Sequence, residues 1–231
     1  MAEEHILVVD DEKEIADLVE VYLQNEGFAV HKYYNGLDAW KCIETMHLDL
    51  AMLDVMLPGL DGFELCRKIR KNHNFPVIML TAKVEDMDKI QGLALGADDY
   101  ITKPFNPLEM VARAKAQLRR YKRYNQGNQD NGDCIEVSGL MINRATHTCT
   151  LNGKALALTP TEFSILWLLC ENRGRVIPSE ELFEKVWGEK YLESNNTVMV
   201  HIRRLREKMN EPPRKPKYIK TVWGVGYKVE K

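Results

Sequence analysis

Short apolar runs that stop on a charged or hydroxyl residue set the tightest limit on how this chain folds. Ile6-Leu7-Val8-Val9 ends at Asp10-Asp11-Glu12, and Leu50-Ala51-Met52-Leu53 ends at Asp54. Val77-Ile78-Met79-Leu80 ends at Thr81, and the shorter Tyr100-Ile101-Thr102 ends at Lys103. Unbroken apolarity over four or five residues fits a strand buried on both faces, which a parallel sheet requires. Between the runs the period turns helical. Ile15, Leu18, Val19, Tyr22 and Leu23 recur at spacings of three and four before Gly27, and further helices are predicted around 37–46 and over 108–118. Phe28-Ala29-Val30 supplies another strand. This alternation predicts a doubly wound α/β domain, with right-handed crossovers and its ligand site at the carboxyl ends of the strands.

That topology gathers Asp10, Asp11, Asp54, Thr81 and Lys103 on one rim. Three carboxylates in one place repel each other unless a cation joins them. Oxygen ligands with room for retained water suit Mg²⁺. With the metal there, Asp54 can attack a phosphoryl group in line, and the metal and Lys103 offset the charge on its oxygens. Thr81 offers a hydroxyl to the product. Acids following strands simply because loops are polar would explain any one of these residues, but not all five together.

The second half has a different character. Residues 1–120 hold 14 Lys and Arg against 21 Asp and Glu, whereas residues 121–231 hold 18 against 13. An acidic half joined to a basic half points to two kinds of partner, and the basic one favours a phosphate backbone. Residues 125–133 are rich in Asn, Gln and Gly and lack aliphatic side chains, which predicts a flexible linker over 121–132 between domains at 4–120 and 133–230. Extended segments at 135–137, 140–143 and 148–151 lead to Asn152-Gly153, a hairpin signal, with a return strand from Lys154. Thr159-Pro160-Thr161-Glu162 opens a helix that either threonine could cap, and Asn172-Arg173-Gly174 ends it. Pro178-Ser179-Glu180-Glu181 opens the next, which Gly188 stops.

A third helix follows Asn195-Asn196. Val198, Ile202, Leu205 and Met209 form its apolar stripe. The other side carries Thr197, Val200, His201, Arg204 and Lys208, flanked by Arg203 and Arg206. Such a helix is a candidate for the DNA major groove, where Arg can bond guanine and Val or Thr can touch a thymine methyl. A merely solvated basic face is the competing reading. Two terminal strands around Trp223-Gly224-Val225-Gly226 form a hairpin, or wing.

These residues carry a resemblance. Val8-Val9-Asp10-Asp11-Glu12, Asp54-Val55-Met56-Leu57-Pro58-Gly59-Leu60-Asp61-Gly62, Leu80-Thr81-Ala82 and Lys103-Pro104-Phe105 resemble the receiver domain of two-component response regulators. Leu158-Thr159-Pro160-Thr161-Glu162-Phe163, Val200-His201-Ile202-Arg203-Arg204-Leu205-Arg206 and Gly224-Val225-Gly226-Tyr227 resemble the winged-helix effector domain of the OmpR and PhoB family. The resemblance implies a flavodoxin-like five-stranded sheet in the order 2-1-3-4-5 and an α+β winged helix-turn-helix. It implies that a membrane sensor histidine kinase phosphorylates Asp54. Mg²⁺ would be held by Asp11, Asp54 and the Met56 carbonyl, with Asp10 acting through water. Thr81 and Tyr100 would move as a pair on phosphorylation, and the Lys103–Pro104 bond would be cis.

The same resemblance implies a homodimer formed on phosphorylation. Lys89 would pair with Glu109, Asp99 with Arg113 and Asp98 with Lys115, each across a two-fold axis. Thr197, Val200 and Arg204 would face bases in tandem or repeated promoter sites, with Arg203 and Arg206 nearer phosphates, which Lys220 and Lys228 of the wing would also meet. RNA polymerase would be met near 189–194. Two residues depart from the pattern. Trp223 stands at the wing tip where an arginine is usual, and Met199 occupies a base-facing position that is often polar. Tyr100-Ile101-Thr102-Lys103-Pro104-Phe105 and the run Tyr218 to Tyr227 are similar, more narrowly, to the VanR type, which controls glycopeptide-resistance genes.

The expectation is a phosphorylation-controlled transcription regulator of the activating kind rather than an enzyme. A phosphohydrolase would need a second acid placed as general acid and a substrate pocket, and neither is evident. A constitutive DNA binder would not need the full Asp10, Asp11, Asp54, Thr81, Lys103 set. No stretch nears the roughly 18–20 apolar residues of a membrane span, and the first apolar run is too short for a signal sequence. A cytoplasmic protein without membrane insertion is therefore expected, with its five cysteines reduced and mostly buried.

Overall fold

The computed structural model describes residues 4–82, 96–125, 134–188, 197–212 and 215–230, with side chains omitted at 122–125. The chain divides into two compact units, Met1–Tyr121 and Lys122–Lys231.

In the first unit, β1 (His5–Val9), β2 (Ala29–Tyr33), β3 (Leu50–Asp54), β4 (Val77–Thr81) and β5 (Asp99–Thr102) form one sheet in the order β2-β1-β3-β4-β5. Every neighbouring pair is parallel. The helices are α1 (Lys13–Asn25), α2 (Gly36–Thr45), α3 (Gly62–Asn72) and α4 (Pro107–Asn125). Strand side chains alternate between faces. Ile6, Val8, Leu50, Met52, Ile78 and Leu80 pack with Ala16, Val19 and Leu23 of α1 and Met110, Ala114 and Leu118 of α4. The intervening strand residues point to the opposite face, and Cys42, Ile43, Leu65, Cys66 and Ile69 of α2 and α3 are buried as well. β1, β3 and β4 are almost wholly buried, which explains their unbroken apolar runs.

Two differences from the sequence reading bear on the architecture. Helix α3 has no counterpart among the helices predicted from the sequence. Asp61 caps it, its side chain accepting the Glu64 amide at 2.7 Å. Helix α4 continues to Asn125, so the expected start of a linker at 121 falls within it. The segment 119–124 holds only Arg, Lys and Tyr, which tolerate helix, and no glycine occurs before Gly127.

In the second unit, β6 (Cys134–Val137), β7 (Leu140–Asn143), β8 (Thr148–Leu151) and β9 (Lys154–Ala155) form an antiparallel meander. The β8–β9 turn is Asn152-Gly153, both with positive φ (50° and 79°), as a two-residue hairpin requires. Helices α5 (Pro160–Glu171), α6 (Ser179–Trp187) and α7 (Thr197–Lys208) follow, then β11 (Ile219–Val222) and β12 (Gly226–Val229). Thr159 is the residue that caps α5. It forms a reciprocal box with Glu162, whose side chain accepts the Thr159 amide at 2.8 Å. A two-residue strand, β10 (Ile177–Pro178), pairs with β12 and makes the wing three-stranded in the order β10-β12-β11. Gly226 permits this pairing, since a Cβ there would lie 2.0 Å from the Ile177 carbonyl oxygen.

None of the five cysteines forms a disulfide, and only Cys134 is exposed. Burial pushes the Cys149 thiol up to about 11 and that of Cys170 to about 12, so both stay protonated and unreactive. Among the described residues, no helix is long and apolar enough to cross a membrane.

Candidate phosphoacceptor site and nucleic-acid interface

The parallel order places the ends of β1, β3, β4 and β5 side by side, and the residues beyond them converge. Asp10 and Asp54 are buried and Asp11 is exposed, and one oxygen from each lies within 4.8 Å of the others. Lys103 Nζ is 2.8 Å from Asp10 Oδ2 and 3.4 Å from Asp54 Oδ2. It also donates to Glu12 Oε1 at 3.2 Å, a partner the sequence reading did not single out although Glu12 adjoins Asp10-Asp11. The Glu12 amide donates to Asp10 Oδ1 at 3.1 Å. Burial raises the Asp10 and Asp54 carboxyls above their ordinary value, with Lys103 pulling each back. Burial pulls the Lys103 ammonium down, but hydrogen bonding to Asp10 and the charge of Asp54 outweigh it and hold Lys103 above its ordinary value.

Three carboxylates, Asp10, Glu12 and Asp54, thus share one ammonium, with Asp11 close beside them. A hard divalent cation bound by oxygen ligands fits this donor set, with Asp10, Asp11 and Asp54 as the residues able to hold it. Met56 lies exposed just beyond Asp54. Thr81 is buried at the end of β4, and its carbonyl accepts the Lys103 amide at 2.7 Å. The Lys103–Pro104 bond is cis. Tyr100 is half-buried on β5.

Asp54 is held from behind by backbone. A Cβ on Gly62 would sit 2.0 Å from the Asp54 carbonyl oxygen, and no rotamer change relieves a clash with main chain. Gly62→Ala is expected to destabilise the first unit by about 1–3 kcal/mol or more and to slow any reaction at Asp54. Hydrogen exchange of the β3 amides would check the first effect and phosphorylation rate the second. Unchanged values would show that α3 can shift freely.

Of the six charged residues expected at a dimer face, the five that are described have partners within their own chain. Arg113 reaches Asp99 at 3.1 Å and Glu109 at 2.9 Å. Lys115 reaches Glu26 at 2.5 Å. Asp98 is fully buried and accepts Arg70 Nη2 at 2.6 Å and the Val77 amide at 3.0 Å. Burial raises the Asp99 carboxyl, against the pull of Arg113. Lys89 lies outside the described residues, as do 126–132, 189–194 and Asn195-Asn196.

On α7, Val198, Ile202, Leu205 and Met209 are buried as the period predicts. The opposite side departs from expectation, because Thr197, Val200, His201 and Arg204 are also buried. Arg204 Nη1 lies 3.5 Å from Glu162 Oε1, and the His201 ring packs 5.5 Å from that of Trp187. Lys208 reaches Glu162 Oε2 at 2.6 Å. The outward residues are Arg203, paired with Glu207 at 2.8 Å, and Met199. Arg206 is turned toward the wing and donates to the Ile219 carbonyl at 2.7 Å and to Thr221 Oγ1 at 2.8 Å. Apolar periodicity finds the inner stripe of a helix but cannot show that polar residues beside it are also covered. Lys220 is half-buried on β11, and Lys228 on β12 pairs with Glu230 at 3.1 Å.

Residues 6–115 match the response regulator receiver domain, and residues 153–229 match the C-terminal domain of transcriptional regulatory proteins. The chain belongs to the two-component response regulators that join a receiver to an OmpR/PhoB-type winged-helix DNA-binding domain. Within them it is 61% identical to the regulatory protein VanR of Enterococcus faecium, over 98% of each chain. It is 62% identical to the regulatory protein VanRc of Enterococcus gallinarum, over 99% of each. Solved structures agree. The Thermotoga maritima response regulator DrrB, an OmpR/PhoB homologue, matches over the whole of both chains with 35% identity and a TM-score of 0.53. A RitR mutant matches over 99% of both with 28% identity and a TM-score of 0.76.

Proposed function

We propose that Asp54 accepts a phosphoryl group from the phosphohistidine of a sensor kinase and that this controls binding of the second unit to promoter DNA. The observation that carries the reading is the placement of Lys103 Nζ between the buried carboxylates of Asp10 and Asp54 at the open end of the sheet. An Asp54 oxygen attacks phosphorus in line. The new P–O bond forms as the P–N bond breaks, and the departing imidazole keeps the electron pair and takes up a proton. Asp10, Asp11, Asp54 and the Met56 carbonyl hold Mg²⁺, which when bound offsets charge on the phosphoryl oxygens. Lys103 supplies the second positive charge, the Thr81 hydroxyl bonds the product, and Tyr100 turns inward behind it.

Phosphorylation favours a receiver dimer through Glu109, Arg113, Asp99, Lys115 and Lys89, whereas Asp98, fully buried against Arg70, serves the receiver core instead. It thereby raises the effective concentration of two DNA-binding units on repeated sites. Thr197, Val200, His201 and Arg204 meet bases or backbone once uncovered, with Arg203, Lys220 and Lys228 near phosphates. The protein acts in the cytoplasm with RNA polymerase and turns over no substrate of its own. The full-length likeness to VanR and VanRc supports glycopeptide-resistance genes as the regulon, with transcription activated. Footprinting the promoters beside this gene, with and without phosphorylation, tests the switch. Equal protection in both states would remove phosphorylation from the mechanism.

The carboxyl shifts give a further expectation with a definite sign. Both Asp10 and Asp54 are raised from 3.8, so the folded state is not penalised below that value, where the groups are protonated in either state. The penalty grows as pH rises from 3.8 toward the elevated values and is complete above them. Added Mg²⁺ relieves it, so Mg²⁺ should raise the melting temperature of the receiver more at neutral than at mildly acidic pH, and Asp11→Asn should reduce that gain. Calorimetric scans check this, and an equal gain at both pH values would be the contrary result.

A further inference from the structure

Trp223 is 90% exposed, more than any other large apolar residue described, and its tip neighbour Val225 is 52% exposed. The other three tryptophans are all at least partly covered: Trp167 and Trp187 lie in the core of the second unit, and Trp40 is half-buried in the first. An indole with so much apolar area is normally at least partly covered in a folded domain. This one cannot fold back onto its own unit, because it sits at the apex of β11 and β12. The hairpin is closed by the Val225 amide donating to the Val222 carbonyl at 3.0 Å, and Gly224 turns at φ 73°.

The hairpin is also fixed in place. Arg206 of α7 donates twice to the Ile219 carbonyl and once to Thr221 Oγ1, so β11 is stapled to the helix proposed to read DNA. At the other side, Gly226 packs against the Ile177 carbonyl and holds β12 to β10. Behind the tip, β11 and β12 carry Lys220 and Lys228, which are cross-strand partners in the hairpin register. A rigid hairpin with an apolar blade at its apex, the Lys220 ammonium at one shoulder and at the other that of Lys228, which also pairs with Glu230 at 3.1 Å, suits the minor groove of a duplex. Phosphates line its edges and stacked base steps form its floor.

We infer that Trp223 is a minor-groove wedge, which presses its indole against a base step beside the site read by α7 and selects sequence by how readily that step opens. This rests on the DNA-binding role proposed above. An arginine at this place would read groove potential and prefer narrow A-tracts, whereas an apolar wedge prefers the easily unstacked TA and CA/TG steps. The contact neutralises no phosphate, so it adds affinity without adding to the salt dependence.

The test uses the full-length phosphorylated protein. Duplexes of about 40 base pairs are first selected from a random-sequence library by the wild-type chain, a length that spans several helical turns. Binding is then measured by fluorescence anisotropy over a range of salt. Trp223→Ala is expected to weaken binding about 10-fold or more with the slope of log Kd against log salt unchanged, and Trp223→Phe to retain most of the affinity. Lys220→Ala is expected to lower the slope by about one. The selected duplexes should be enriched in a pyrimidine–purine step at a fixed distance from the α7 site, and reselection with Trp223→Arg should replace it with an A-tract. Wild-type affinity in Trp223→Ala, a loss accompanied by a changed slope, or no enriched step would overturn the wedge. If the wild-type chain selects no duplex at all, the DNA-binding reading fails instead. Since Trp223 is almost wholly exposed, an unchanged melting temperature for the Ala variant verifies that folding is intact.

Discussion

Asp54→Asn should take up no phosphoryl group when the full chain is incubated with acetyl phosphate and Mg²⁺, whereas the wild-type chain should gain one. The change removes the nucleophile while keeping the side chain's size, so packing at the end of β3 should survive. Asp54 is 3% exposed and its carboxyl is raised by burial, so the neutral amide should leave the metal-free fold as stable or slightly more so at neutral pH. Loss of labelling then reports chemistry and not unfolding. Intact-mass measurement reads the outcome, and peptide mapping locates the label. A full phosphoryl gain in the variant, carried by Asp10 or Asp11, would move the acceptor to another carboxylate of the cluster. Footprints of the variant should match those of the unphosphorylated wild-type chain under either condition.

Arg70→Ala should have the largest effect on stability. The guanidinium donates to the Gly96 carbonyl at 2.7 Å, to the Phe75 carbonyl at 2.8 Å and to Asp98 at 2.6 Å. Asp98 is completely buried, so the substitution would strand a carboxylate in the interior and leave two carbonyls short of a donor. Breaking a buried pair from one side costs about 3–5 kcal/mol, a large part of the roughly 5–15 kcal/mol that holds a domain folded. Because the chain has two units, a single global midpoint would blur the result. Hydrogen exchange of the Val77 to Thr81 amides isolates the receiver. Those amides should lose protection in Arg70→Ala, and adding Asp98→Asn should restore part of it, since the stranded charge is then gone. If the double variant were no better than the single one, the loss would come from the carbonyl contacts alone.

Much of this molecule could be read from residue order because its strongest signals are short-range. The runs 6–9, 50–53 and 77–80 are apolar throughout because both faces of those strands are covered. Asn152-Gly153 marked its own turn, and Thr159 with Glu162 marked its own cap. The misses share a different cause. Helix α3 escaped notice because Leu65, Cys66 and Ile69 are scattered among Arg and Lys in a strongly polar segment. β10 is two residues long and includes a proline, so it has no periodicity to detect. Arg206, expected near phosphates, ends on the Ile219 carbonyl, and Arg70 ends on the carbonyls of Phe75 and Gly96; nothing in local sequence encodes that reach. The cover over Thr197, Val200, His201 and Arg204 is likewise tertiary. Glu162, read only as a cap, also takes Lys208 and stands beside Arg204, across more than forty residues.

The contact between Gly62 and the Asp54 carbonyl gives the receiver a stiff side and a yielding side. With α3 pressed against the end of β3, there is no slack behind the acceptor into which added bulk could push. On the other flank stand side chains with rotatable bonds, Lys103 and Thr81, at the end of the β4–β5 ladder where the Lys103 amide donates to the Thr81 carbonyl. Any change in size or charge at Asp54 must therefore be absorbed toward β4 and β5. The end of β3 resembles a latch with one fixed jaw, and it is a missing methyl group, at Gly62, that lets that jaw close on Asp54.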